Sequence, residues 1–268
     1  MQIIGGLSAG VDIWEIAYLP NLLNNCESWI EIDTDTINQL ENLQVMMYRV
    51  ILSCPQSTPH AALLWDLGGI KMKYRIIKKK LCFLFDILNQ DKNSLSYQVL
   101  KIQEKCSLPG LVMECKSFIS DLKLPDIFVT KMKRNKWKRL VKEAVLEINE
   151  NELKHEIETS KKLKNSALVN ESFGLKNYIK ELSLHEARIY FKHRTKMTQF
   201  VKMNYKNEKY YSKKLWKCTC GKMDSESHLL WCKNYEYLRE NKDLSNNKDL
   251  CQYLHKIFLL RTKKEKKK

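Results

Sequence analysis

Glycine and proline are scarce in this chain, at 8 and 5 residues out of 268. So few turn formers exclude the many short strands and tight connections of a β-sandwich or barrel, and the expected fold is mainly α, built of long helices. Long apolar runs are missing too. The longest stretch without a charged residue, Val50 to Trp65, contains Pro55 and Pro59 and falls short of a bilayer span, so no membrane partner is expected. The opening "MQIIGGLSAG" lacks the basic start of a secretion signal, and Asp12 and Glu15 interrupt the apolar stretch after it. Nine cysteines is an odd count, and outside one cluster they lie apart, several within apolar patterns such as "LCFLF" around Cys82. That is no disulfide framework, and an intracellular setting, nuclear or cytoplasmic, is expected. The chain holds neither a phosphate loop nor two adjacent aspartates. Asp33 and Asp35, in "EIDTDTIN", suit a helix start better than a catalytic pair. No catalytic constellation emerges.

What the chain has in excess is positive charge. Lys and Arg number 47 against 31 acidic residues, a formal net charge of +16. Such a surface attracts polyanions, so RNA or DNA is the first partner expected, held mainly through phosphates. Capping and hydrophobic spacing predict helices over about 36–53, from Thr58-Pro59 to Gly68-Gly69, through "IKMKYRIIKKKLCFLFDIL", and over Leu95–Gln103 and Pro109–Leu122. A kink is expected at Pro20. These helices suggest a bundle over residues 1–125 and a basic helical connection over 126–177. A helix from Tyr178 to Thr198 would lead into a cysteine-bearing region over 178–240, and 241–268 reads as a basic tail whose last residues, "TKKEKKK", are expected to be disordered by their charge.

The cysteine cluster is "CTCGKMDSESHLLWC", with the spacing Cys218-x-Cys220-x7-His228-x3-Cys232. Gly221 suits a tight turn after the first pair, and Asp224 or Ser225 can cap a helix entering at Glu226. On that helix His228 and Cys232 are four residues apart and share a face. Three thiolates and an imidazole make the closed tetrahedral set of a structural zinc ion. The other reading is ordinary reduced cysteines beside a packed Leu229, Leu230 and Trp231. The first gap, one residue long, is tighter than the usual two to four.

Three basic stretches are candidates for nucleic acid. Residues 131–142, "KMKRNKWKRLVK", carry seven Lys or Arg in twelve, and Lys131, Lys133, Arg134, Lys136, Trp137, Lys138 and Arg139 are candidate contacts. In "FVKMNYKNEKYYSKKLWK" aromatics alternate with lysines, so that Tyr205, Tyr210, Tyr211 and Trp216 can stack on unpaired bases while Lys202, Lys206, Lys213 and Lys214 neutralise phosphates. The same aromatics can instead pack beneath the cysteine cluster, and both readings stand. "KMKYRIIKKK" at 71–80 surrounds its helix with charge, which fits a solvated face equally well.

Taken in order, several stretches resemble the C-terminal part of non-LTR retrotransposon reverse transcriptases. "LPNLLNNCESWIEID", with Glu27 and Trp29, is similar to the family's Glu-x-Trp segment, and "LENLQVMMYRVILSCPQSTPHAALLWDLGGIKMKYRI" to its thumb. "LHEARIYFKHRTKM" before the cysteine cluster is similar to the Ala-Arg helix that precedes the family's C-terminal zinc knuckle. The resemblance covers roughly residues 11–240. It implies that Cys218, Cys220, His228 and Cys232 bind a structural zinc, that Arg188 and Arg194 belong to a basic helix at nucleic acid, and that template RNA and target DNA are the partners. The family's catalytic Y-x-D-D and the rest of its palm have no counterpart in this sequence, and polymerisation needs paired metal-binding carboxylates. The expectation is a fragment that is not an enzyme by itself, with a palm domain as a further partner. A helical protein-interaction module held by zinc, and a non-functional relic, remain alternatives.

Overall fold

A computed structural model describes residues 6–164, 166–195, 218, 220–222 and 225–265. The fold is mainly α. Helices α1 (Gly6–Ile13) and α2 (Leu19–Leu22) are joined by a π-helical turn, Trp14–Tyr18, just ahead of Pro20. Proline has no N–H and its ring crowds the carbonyl four residues back, which widens the ladder there. Helix α3 (Thr34–Leu52) begins where the Asp33 carboxylate accepts the Thr36 N–H at 2.7 Å. Asp33 therefore serves as the cap, three residues ahead of the start expected at Thr36.

Helix α4 (His60–Leu67) follows Pro59 and ends at Gly68, whose φ is +68°. Seven of its eight residues are buried, which makes it the centre of the body. A Cβ on Gly68 would lie 2.8 Å from the Leu175 N, and one on Gly69 2.7 Å from the Leu64 and Tyr48 side chains. The bare backbone lets residues 174–176 lie against the end of α4, where the Gly174 and Lys176 N–H groups donate to the Trp65 and Asp66 carbonyls.

Helices α5 (Met72–Leu88), α6 (Leu95–Cys106), α7 (Leu111–Asp121) and α8 (Arg134–Thr159) follow. After them come α9 (Asn177–Glu181), α10 (Leu184–Arg194), α11 (Glu226–Trp231) and α12 (Asn247–Glu265). Among the described residues there is no strand, only an isolated bridge between Leu67 and Leu175. The single helix expected from Tyr178 is split: Leu182 is extended, and Ser183 opens α10 with a capping box to Glu186.

Packing follows three cores rather than the boundaries expected at 125, 177 and 240. The first gathers α1 to α4 with the far end of α8, α9 and α10 around Trp14, Tyr48, Trp65 and Phe191. The second gathers α5, α6, α7 and the near end of α8 around Leu84, Phe85, Cys115 and Trp137. Helix α8 is thus a shared wall and not a connection. Its buried residues are Trp137, Val141, Val145, Asn149, Leu153 and Ile157, every fourth position. Each step of four overshoots a full turn by about 40°, so the strip winds by roughly 200° and meets one core at each end. At the crossover, Asn149 accepts the Lys71 N–H at 3.0 Å and donates to the Gly69 carbonyl, so the buried amide is satisfied while it caps α5.

The third core joins the cysteine cluster to α12 through Leu229, Tyr235, Tyr253, Leu254 and Ile257. The stretch expected to be only a basic tail therefore holds a packed helix. Its charge is concentrated after Leu260, whereas Leu250, Cys251, Tyr253, Leu254 and Ile257 precede it at helical spacing.

Candidate metal centre and basic surface

The residues around Cys218 fold tightly. The Gly221 N–H donates to the Cys218 carbonyl and the Cys218 N–H to the Lys222 carbonyl, both at 2.8 Å, with Gly221 at φ +85°. That turn brings Cys220 back beside Cys218 despite the one-residue gap. Across from it, the Ser225 Oγ accepts the His228 N–H at 3.1 Å and starts α11. His228 then lies one turn before Cys232. Cys218, Cys220, His228 and Cys232 each present a ligand atom, and all four atoms lie within 4.8 Å of one another. The Cys218 and Cys232 sulfurs are 3.6 Å apart, and the Cys220 sulfur is 3.2 Å from the His228 Nε2. A tetrahedron with metal–sulfur bonds of about 2.3 Å has edges of roughly 3.8 Å, so the set has the size of a single-ion site. An ion held by all four residues would have a closed shell with no position for substrate.

Two side chains that the sequence did not single out support this unit. Arg239 Nη1 donates to the Leu230 and Cys232 carbonyls at 3.0 and 3.1 Å, occupying the open carbonyl end of α11. Tyr253 of α12 donates to the Leu229 carbonyl at 2.6 Å. A six-residue helix is marginal by itself, and these contacts fix the turn that carries His228 and Cys232. Tyr253 comes from a segment whose composition suggested only a tail, and Arg239 from the last residues of the region expected to hold the knuckle, where no local signal marked it.

The basic candidates divide sharply. Lys131, Lys133, Arg134, Lys136 and Arg139 are exposed, and Lys138 is half-buried. Arg134 chelates Asp86, with Nε at 2.6 Å from Oδ1, and Arg139 lies 3.8 Å from Glu143. Trp137, expected to meet bases, has no exposed surface: it stacks on Phe85 and its Nε1 donates to the Leu81 carbonyl at 3.0 Å. It anchors α8, because its place in the every-fourth strip outweighs the lysines beside it. Arg188 donates to the Ile51 carbonyl at 3.0 and 3.1 Å and so closes the end of α3. Arg194 is buried between Asp66 and Glu171, with Nε 3.0 Å and Nη2 2.6 Å from their oxygens, while the Tyr178 hydroxyl donates to Asp66 at 2.7 Å. Burial pushes the Asp66 carboxyl up to about 6, and the Arg194 guanidinium opposes that rise. Both arginines expected at nucleic acid are therefore engaged within the fold. Ile51 and Asp66 lie more than 120 positions earlier in the chain and Glu171 lies 23 earlier, all beyond the reach of local pattern. Lys202, Tyr205, Lys206, Tyr210, Tyr211, Lys213, Lys214 and Trp216 lie outside the described residues.

The sequence also contains one Gly-x-Ser-x-Gly pattern, Gly6 to Gly10. Ser8 lies within α1 and not on the strand-to-helix turn that exposes a nucleophile, so the pattern makes no acyl-transfer site. Among the described residues no helix is long and apolar enough to cross a membrane. No protein family, no curated protein and no solved structure matches this chain.

Proposed function

We propose that this chain is a nucleic-acid-binding protein whose C-terminal unit is held by a structural zinc ion, and that it corresponds to the C-terminal part of a non-LTR retrotransposon reverse transcriptase. In this reading it catalyses nothing by itself. The observation that carries the binding function is the approach to α8 and its first turns, where Lys131 and Lys133 ahead of the helix and Arg134, Lys136 and Arg139 on it are exposed while Trp137 is locked in the core. Cations on a rigid helix meet a phosphate chain without first losing much conformational freedom. Contacts of this kind give affinity and little sequence preference. Zinc suits three thiolates and an imidazole better than any hard cation does, and it needs no redox partner. The family assignment rests on the order of the Glu-x-Trp, thumb-like, Ala-Arg and cysteine segments in the sequence.

A second reading has one observation in its favour. Leu95, Val99 and Ile102 lie on one face of α6 and are 77%, 46% and 56% exposed, an apolar stripe suited to another protein. A shift assay with labelled single-stranded RNA and DNA at 50 and 200 mM salt separates the two. The nucleic-acid reading expects binding to both, weakened by about tenfold or more at the higher salt. Indifference to either probe at 50 mM favours the interaction module.

A further inference from the structure

Helices α5 and α8 enclose a cleft of about 560 Å³ whose lining includes Lys78, Lys79, Lys138, Arg139 and Lys142, with Cys82 and Phe83 beside them. Two carboxylates, Glu27 and Asp86, also line it, and both are already engaged. Asp86 is chelated by Arg134, and Glu27 lies 3.7 Å from the Lys79 Nζ, which donates to the Leu23 carbonyl as well. Lys78, Lys138 and Lys142 have no ion-pair partner among the described residues, although Lys138 and Lys142 stand one turn apart on the same face of α8. Like charges at that spacing repel, so an anion between the two helices would relieve the strain. Phe83 keeps 36% of its surface exposed, and with Cys82 it supplies apolar area beside the charge.

Apolar area set beside unpaired cations is the combination that takes an unpaired base together with its phosphates. A duplex turns phosphates outward and keeps its bases stacked, so it would leave Phe83 without a partner. We propose that this cleft seats single-stranded nucleic acid, with phosphates on Lys78, Lys138 and Lys142 and a base against Phe83. This rests on the nucleic-acid reading above and specifies where and how the strand is held.

The test uses the full chain and fluorescence anisotropy with labelled dT12, the duplex dT12·dA12, and phosphatidylserine vesicles as competitor. Lys138→Gln with Lys142→Gln removes two cations from the cleft; Lys161→Gln with Lys164→Gln removes two exposed cations outside it. The cleft variant should bind dT12 about tenfold more weakly at 50 mM salt, with the salt slope reduced by about 1.4, or roughly 0.7 per lost phosphate contact. The control pair should stay within about twofold. Phe83→Ala should lose about fivefold on dT12 at an unchanged salt slope, and lose nothing on the duplex. Wild-type binding with equal losses in the two lysine pairs would overturn the cleft and leave the nucleic-acid reading intact. Equal dependence of duplex and single strand on the cleft would overturn the single-strand assignment, and so would vesicles that displace dT12 from wild type alone. No binding by wild type would remove the broader reading and the cleft with it.

Discussion

The helical body and the cysteine-bearing unit differ in how much apolar surface their described residues bury. The body's two cores bury 26 and 13 apolar residues, sharing α5 and α8 as common walls. Among the described residues the third core buries nine, and two of those are the candidate ligands Cys218 and Cys232. Apolar burial contributes about 25 cal/mol per Å², and a core that small hardly offsets the entropy of ordering its chain. If an ion is held by Cys218, Cys220, His228 and Cys232, the unit should depend on it far more than the body does. Metal removal should break this comparison open most widely. Structural zinc contributes on the order of 10–16 kcal/mol in isolated peptides, more than a small domain's whole stability. A metal analysis should find one zinc per chain. Chelation, or Cys232→Ala, should strip hydrogen-exchange protection from α11 and α12 and leave α4, α5 and α8 protected. Persistent protection of α12 in metal-free protein would mean that Tyr253 and its neighbours suffice without the ion.

The converse break comes from Trp137→Ala. Truncating a fully buried indole leaves a cavity, while the Leu81 carbonyl loses its second donor and keeps its place in the α5 ladder, at a cost of roughly 3–5 kcal/mol. Urea unfolding should show that loss in the body while the zinc content stays at wild-type level. Trp231→Ala is the natural control, because Trp231 is 74% exposed and its loss should leave both regions unchanged. Equal effects from the two tryptophans would contradict the placement of α8 as a shared wall.

How legible each region was in the sequence depends on the range of the forces that shape it. Helices α3 to α7 announce themselves because caps, prolines and glycines act within a few residues: Asp33, Pro59 and Gly68 each bound the helix they should. The metal ligands are legible for the same reason, since a turn and an i, i+4 pair bring all four together locally. Trp137, Arg188 and Arg194 were misread because their partners are distant. Nothing near them in the sequence tells a cation bound for Asp66 from one bound for phosphate. Helix α12 was missed because the charge of its last residues dominated the composition of the whole segment. The two-core path of α8 was present in the every-fourth spacing, but its overshoot matters only when two cores stand on different sides.

The finest separation of the two regions is by acid. Glu152 on α8 accepts hydrogen bonds from the Lys71 and Lys73 ammonium groups, each at 2.8 Å, and from the Tyr74 hydroxyl. Burial alone would raise its carboxyl, but those donors outweigh burial and hold it at about 2, below the ordinary 4.5. The unfolded chain takes up that proton first, so the cluster's contribution is complete above about pH 4.5 and drains away as the pH falls towards 2. The side chain is 30% exposed, so solvent screening keeps the contribution below that of a fully buried pair. The cysteine-bearing unit should respond earlier, because protons compete with the metal for thiolates whose ordinary pKa is about 8.5. Acidification should therefore release zinc first and weaken the body second. Glu152→Gln keeps the shape of the side chain and removes its titration. In that variant the urea midpoint of the body should fall less steeply than wild type between pH 4.5 and 2, while the zinc-release curve is unchanged. Parallel acid profiles for the two proteins would show that α5 and α8 are held by their apolar strip alone, with the Lys71–Glu152–Lys73 cluster contributing nothing to the body's stability.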